Sequence, residues 1–295
     1  MAETEAHRPE LADLDRRPTR ELVELAVADS AAVPDAVALS SDELARAIDG
    51  IVERLRGGGR LVYAGAGTSG LLAALDAAEC TPTFGCAPGQ VVALVAGGAD
   101  LARPLVSAAE DDAAAGERDV RSVGVGAGDA VVGVSASGRT PYTVAAVRTA
   151  AAAGALTVAV VCAVESELAR AAELEVAVPV GPELVAGSTR LKAGTAQKLV
   201  LNTISTVTMI RLGKTFGNLM VDVDPANEKL RARARQAVEL AAGVSADEAE
   251  AALAAAGGEA KVAIVALVAG VDAATARERL AAAGGAVRDA LPNRT

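Results

Sequence analysis

Histidine is nearly missing from this chain. His7 is the single one, and it sits in a charged N-terminal segment broken by Pro9 and Pro18. That scarcity removes a serine–histidine–carboxylate relay and a histidine metal centre, so acid–base chemistry falls to carboxylates, lysine, tyrosine or cysteine. Tryptophan is absent and aromatics make up 1% of residues. The core must therefore be built from Ala, Val and Leu, which suits parallel strands covered by helices. Cysteine is scarce too: Cys80, Cys86 and Cys162 show no C-x-x-C spacing. This argues against a disulfide framework or a thiolate zinc site, and for buried thiols in a reducing compartment. Positive charge is in deficit: 28 Lys and Arg against 38 Asp and Glu give a net charge of −10. A nucleic-acid partner is not expected, because phosphate backbones need basic patches. A small anion is not excluded, since a local nest of amides outweighs net charge at short range. No uncharged apolar run reaches the roughly 18 residues of a membrane span, and no apolar h-region opens the sequence, so a cytoplasmic protein without a membrane partner is expected.

The most informative stretch is Val131 to Thr140, V-V-G-V-S-A-S-G-R-T. An uncharged apolar run ends in Ser135, Ser137, Gly138 and Thr140, and Pro141 then opens a helical stretch. Strand, hydroxyl-rich turn and helix N-terminus in succession make an anion site, with free N–H groups and the positive end of the helix dipole facing outward. The plainer reading is that these hydroxyls only cap the helix. An earlier stretch repeats the pattern. Arg60 to Ala64 reads as a strand that feeds Gly65-Ala66-Gly67-Thr68-Ser69-Gly70, and Leu71 to Ala78 reads as helix. G-x-G-x-x-G alone suggests a dinucleotide site. The acidic residue expected at the end of the second strand is missing, however, and Thr68 and Ser69 make this turn a second hydroxyl-bearing cradle.

Further strands are expected at Gln90 to Ala96, Asp129 to Val134, Leu156 to Cys162 and Leu174 to Val180, with helical character between them, including Leu101 to Gly116. Such alternation implies an open parallel sheet with ligands at the carboxyl ends of its strands. Before it, Thr19 to Ala32 and Ser40 to Arg56 read as helices, the second opened by a capping box, Ser40-x-x-Glu43. After it, Gly181 to Asn202 carries Ser188, Thr189, Arg190 and Lys192, and a helix follows from about Thr195 to Leu212. Thr195, Lys198, Asn202 and Ser205 share one face of that helix, which reads as a cleft-facing stripe. From Ala241 the chain is Ala-rich, with a second capping box at Ser245-x-x-Glu248. The expected division is 1–56, a helical segment; 57–240, an α/β domain; and 241–295, a small helical module.

Without histidine, proton transfer needs carboxylates. Glu79 ends the helix after the first hydroxyl turn, flanked by Ala78 and Cys80, an apolar setting of the kind a proton-holding carboxyl needs. Glu110 in A-A-E-D-D and Glu183 in G-P-E are further candidates. For any one of them, simple solvation is the bland reading.

Several segments taken together resemble one family. They are residues 59–70 (G-R-L-V-Y-A-G-A-G-T-S-G), 75–85 (L-D-A-A-E-C-T-P-T-F-G), 108–112, 135–142, 187–202 (G-S-T-R-L-K-A-G-T-A-Q-K-L-V-L-N) and 217–223 (G-N-L-M-V-D-V). They are similar to the N-acetylmuramic acid 6-phosphate etherases, which use a sugar isomerase (SIS) domain. The resemblance implies a three-layer α/β/α SIS domain with a five-stranded parallel sheet. It implies a lyase, acting as a homodimer without metal or organic cofactor, that removes D-lactate from the 3-position ether of N-acetylmuramic acid 6-phosphate in cell-wall recycling. The family's two catalytic glutamates fall on Glu79 and Glu110. Substrate contacts are expected from Thr68, Ser69, Ser135, Ser137, Gly138, Thr140, Glu183, Ser188 and Lys192. The chain departs from the family at Leu71, where an arginine is usual, at Ala78, and at Thr4 to Arg8, which replaces T-E-x-R-N. The alternatives are a non-catalytic sugar-phosphate sensor, similar to the glucokinase regulatory protein, and an SIS aldose–ketose isomerase. Paired glutamates argue against the first, and the 187–202 block against the second.

Overall fold

The computed structural model describes residues 3–99, 107–223 and 227–292. By Cα packing the chain forms two compact units, interleaved along the sequence: residues 1–77 with 89–205, and residues 78–88 with 206–295.

The first unit is built on a five-stranded sheet. Its strands are β1 (Leu61–Gly65), β2 (Val91–Val95), β3 (Ala130–Ser135), β4 (Leu156–Val161) and β5 (Leu174–Ala177), in the order β2-β1-β3-β4-β5. Every pairing is parallel. β1, β3 and β4 are buried along their whole length, which is why their sequences are continuous apolar runs rather than alternating ones. The helices in chain order are α1 (Thr19–Ser30), α2 (Val33–Ala38), α3 (Ser41–Arg56), α4 (Gly67–Phe84), α5 (Ala113–Ser122), α6 (Pro141–Ala152), α7 (Glu167–Ala171) and α8 (Lys192–Arg211). On one face Val62, Ala64 and Val131 pack with Val120 of α5 and Ala146 and Ala150 of α6, while Ala159 and Val161 meet Leu168 of α7. α3 covers β3, β4 and β5. On the face opposite Val62 and Ala64, the Tyr63 hydroxyl donates to Asp76 of α4 at 2.8 Å. The three layers expected from the sequence are present.

The second unit holds a short hairpin, β6 (Thr215–Phe216) and β7 (Leu219–Met220), and α9 (Glu228–Ala242), α10 (Ala246–Ala255), α11 (Ala260–Ala269), α12 (Ala273–Ala282) and α13 (Val287–Ala290). Its core gathers Val238, Ala249, Ala263, Ile264, Ala276 and Val287. Asp222 pairs with Lys214 at 3.0 Å and Lys261 at 2.7 Å. Among the described residues no single helix is long and apolar enough to cross a membrane.

Three expectations need correction. The Ser245 capping box forms, but Ser40 makes no cap bond: its hydroxyl donates instead to the Ala177 carbonyl. With φ −99° and ψ 17°, Ser40 lacks the extended geometry that a capping hydroxyl needs. The helix expected from Leu101 to Gly116 falls partly outside the described residues. Within them, Ser107–Asp111 is a 3-10 turn, and the helix starts at Ala113 behind an Asp112 side-chain cap. The polar stripe on α8 splits. Thr195 and Lys198 are exposed, whereas Asn202 and Ser205 donate to buried Asp76 at 3.3 and 3.0 Å.

At the amino end of the sheet, Arg60 and Asp129 tie β1 to β3. The Arg60 guanidinium reaches the carboxylate at 2.7 Å, and the backbone N–H groups of Arg60 and Gly126 donate to it at 2.9 and 3.1 Å. Burial alone pushes the Asp129 carboxyl up, but the Arg60 side chain and these N–H donors outweigh it and hold the group below its ordinary value. A depressed carboxyl stabilises the fold fully above its unfolded-chain value, near 3.9, and loses that contribution as pH falls through the lower folded value. Asp129→Asn is expected to cost about 2–3 kcal/mol at pH 7. The cost should shrink at pH values below the unfolded-chain carboxyl range. Urea unfolding of both proteins at pH 7 and in acid checks this.

Candidate active site

In this order β2 is added on one side of β1 and β3 on the other, so the progression of strands across the sheet reverses between β1 and β3, and open α/β sheets bind ligands at the carboxyl ends flanking such a switch point. Both hydroxyl-bearing turns lie there, side by side. β1 passes through Ala66 straight into α4. Helix and strand approach so closely that a Cβ on Gly65 would stand 2.9 Å from the Gly70 nitrogen, and one on Gly70 would stand 2.7 Å from the Gly65 oxygen. Thr68 and Ser69 occupy the first turn of α4. Thr68 is half-buried and Ser69 buried, and the Ser69 hydroxyl donates to Oε1 of Gln197 on α8 at 2.9 Å.

The second turn follows β3. Ser135 and Thr140 share a hydroxyl–hydroxyl hydrogen bond of 2.9 Å. The Gly138 N–H donates to the Ser135 hydroxyl at 3.1 Å, and the Arg139 N–H to that of Ser137 at 3.3 Å. Thr140 is the N-cap residue of α6 but makes no side-chain cap bond. The capping reading therefore fails, and the hydroxyls shape the loop instead. Gly138 has φ +62°, and a Cβ there would meet the Ser166 hydroxyl at 2.2 Å. Arg139 is exposed and pairs with Glu5 of the N-terminal segment at 3.1 Å.

The start of α8 comes to the same rim. Gly194 lies beside the Thr68 methyl, and the Cys162 thiol, just past β4, faces the Ala193 carbonyl at 3.9 Å. Glu183 is fully buried, and both its carboxylate oxygens accept α8 N–H groups, from Lys192 and Ala193, at 2.9 Å each. A carboxylate so enclosed anchors the helix; the structure gives it a positioning place rather than an open substrate contact. The Lys192 side chain is also buried, its Nζ 3.2 Å from Asp29, which takes Arg8 at 2.6 Å as well. Ser188 is half-buried in the turn before α8.

The two candidate acids differ in setting. Glu110 is exposed on the 3-10 turn Ser107–Asp111. Its neighbour Ala109 packs against Ala66, Ala96 and Tyr142, the residues just past β1 and β2 and at the start of α6. That packing holds Glu110 at the rim. Glu79 and Ala78 are both exposed, so the apolar setting read from the flanking residues is absent around Glu79 within one chain. Other groups drop out as bases. Burial, with the Glu183 charge second, pushes the Cys162 thiol up to about 12. Burial and the Asp119 carboxylate, 2.6 Å away, push the Tyr142 phenol well up. Both keep their protons at neutral pH. The three cysteines are buried, and none forms a disulfide. Among the described residues no group of three or more His, Cys, Asp or Glu side chains is placed to hold a metal ion. Gln197, Asp29 and Arg139 were not singled out from sequence. Gln197 stands inside the G-T-A-Q-K run, but nothing in one sequence distinguishes a buried glutamine from its polar neighbours.

Residues 43–151 match the family model of the glucokinase regulatory protein N-terminal SIS domain, and residues 117–206 that of the SIS domain. The chain is 58% identical over 264 residues to an N-acetylmuramic acid 6-phosphate etherase of Rubrobacter xylanophilus, covering 90% of this chain and 88% of that one. It is 56% identical to the protein of the same name from Streptomyces coelicolor, covering 90% and 85%. It is 49% identical to that of Deinococcus radiodurans, covering 90% and 87%. A phosphoheptose isomerase from Francisella tularensis superimposes with a TM-score of 0.51 at 17% identity, over 68% of this chain and 99% of that one, a likeness of fold alone.

Glu183→Ala leaves two α8 N–H groups buried without an acceptor, and is expected to cost about 2–4 kcal/mol. Glu183→Gln, which keeps one acceptor oxygen, should cost less. Denaturant unfolding of the two variants beside the parent checks the order.

Proposed function

The chain belongs to the N-acetylmuramic acid 6-phosphate etherase family, and from that membership we propose that it cleaves the D-lactyl ether of N-acetylmuramic acid 6-phosphate to N-acetylglucosamine 6-phosphate and D-lactate. The observation that carries this reading is identity of 58% across 90% of the chain. In this reading the phosphate ester sits against the amides and hydroxyls of Thr68, Ser69, Ser135, Ser137, Gly138 and Thr140, with Ser188 and Lys192 beside them.

The chemistry suits carboxylates. In the open-chain sugar the C1 aldehyde acidifies the C2 proton. Glu110 takes that proton; the electron pair forms the C2–C3 double bond as the C3–O bond breaks. Glu79 gives a proton to the departing lactate oxygen. Water then adds across the double bond, its hydroxyl to C3 and a proton to C2, with Glu79 assisting. The division of roles between the two acids is part of the proposal.

A homodimer is also part of it. Glu79 stands about three turns along α4 from Ser69, on an exposed face it shares with Leu75, one turn earlier and 50% exposed. A large apolar side chain and an acid side by side on such a face suit an intersubunit contact in which Glu79 serves the partner's ester site. A cytoplasmic location fits three buried cysteines that form no disulfide. The rival reading as a sensor rests on the family-model match over residues 43–151. It leaves the two glutamates without work.

Incubation with N-acetylmuramic acid 6-phosphate is expected to release D-lactate, and Glu79→Gln or Glu110→Gln to lower kcat at least ~10²-fold. Binding without lactate release would support the sensor. Mixing the two inactive variants separates the subunit arrangements. If Glu79 serves the partner, equal mixtures regain about a quarter of parental activity, because half the dimers are mixed and each has one intact site. No recovery would put both acids in one chain.

A further inference from the structure

Gln197 is 1% exposed. Its Oε1 accepts the Ser69 hydroxyl, while its Nε2 is buried and has no hydrogen-bond partner. An unmet buried N–H is costly, and few native groups carry that cost. A serine hydroxyl has one proton to give. In the free protein that proton is committed to Gln197, so Ser69 can offer a ligand only lone pairs. Lone pairs repel a phosphate dianion. For Ser69 to serve an ester, its proton must swing towards the ester, and its oxygen then needs a donor behind it. Gln197 has an idle one. Rotation about the last side-chain bond of glutamine, a broad and roughly two-fold torsion, exchanges Oε1 and Nε2 in place.

We infer that Gln197 is a positioning residue for substrate binding: when the phosphate ester arrives, its amide turns, Nε2 donates to the Ser69 oxygen, and the Ser69 proton is freed for the ester. The inference rests on the reading above in which Ser69 contacts that ester. The glutamine works on the substrate through the serine.

The test is steady-state D-lactate release by the full chain at pH 8, with kcat and KM measured separately. Gln197→Glu keeps the shape but can only accept, so it holds the Ser69 proton captive. KM is expected to rise at least ~10-fold, with kcat altered less than ~3-fold. Gln197→Met takes no proton and gives none. It releases the serine and should raise KM less than the Glu change does. Ser69→Ala should raise KM by itself, and in that background Gln197→Glu should add less than ~3-fold. A simple charge repulsion between the new carboxylate and the ester would persist without the serine hydroxyl, so full additivity overturns the inference. Equal effects of the Glu and Met changes also overturn it, as they would mark a packing role only. If Ser69→Ala raises KM but Gln197→Glu does not, the inference alone fails. If Ser69→Ala leaves KM unchanged, the placement of the ester on this turn fails with it.

Discussion

Gly65 and Gly70 leave no room for a methyl group between β1 and α4. That contact fixes where the first turn sits, and the site follows from it. A helix that starts directly on a strand end points its first N–H groups across the rim of the sheet. The same arrangement recurs one strand over, where Gly138 lets the chain turn beneath Ser166. Two dipole ends and a set of hydroxyls thus share one edge of the sheet. The dipole end of α8 is different. Glu183 already fills it, so that helix lends the rim its side chains rather than a free anion cradle.

The amino end of the sheet has the complementary task. Asp129 and Arg60 lock β1 to β3 far along the strands from the turns. The rim can then carry poorly satisfied groups such as the Gln197 amide, because register is held elsewhere. Asp76 plays a similar part between layers, gathering Tyr63, Asn202 and Ser205 at one carboxylate.

Much of this was legible in the residues. Uncharged apolar runs bounded by glycine and hydroxyls marked the buried strands, and Pro141 marked the start of α6, because both signals are local. The failures have a common cause, which is tertiary competition for a polar group. Ser40 had a glutamate at the right spacing for a capping box, yet the Ala177 carbonyl took its hydroxyl. Asn202 and Ser205 had the spacing of a cleft stripe, but a buried aspartate claimed them. Glu183 looked like an acid near a ligand and proved to be the anchor of a helix. The surroundings of Glu79 were unreadable for another reason: flanking residues on a helix point to other faces, so Ala78 and Cys80 say little about what its carboxyl meets.

The scarcity of aromatic side chains has an optical consequence. Tyr63 and Tyr142, the two tyrosines in the chain, are both fully buried in the first unit, and each donates to a carboxylate. With no tryptophan present, near-ultraviolet dichroism and intrinsic emission report on the sheet-bearing unit almost alone. Far-ultraviolet dichroism sums the helices of both. Comparing melting curves from the two signals therefore reads directly whether the helical C-terminal unit lets go before the sheet does.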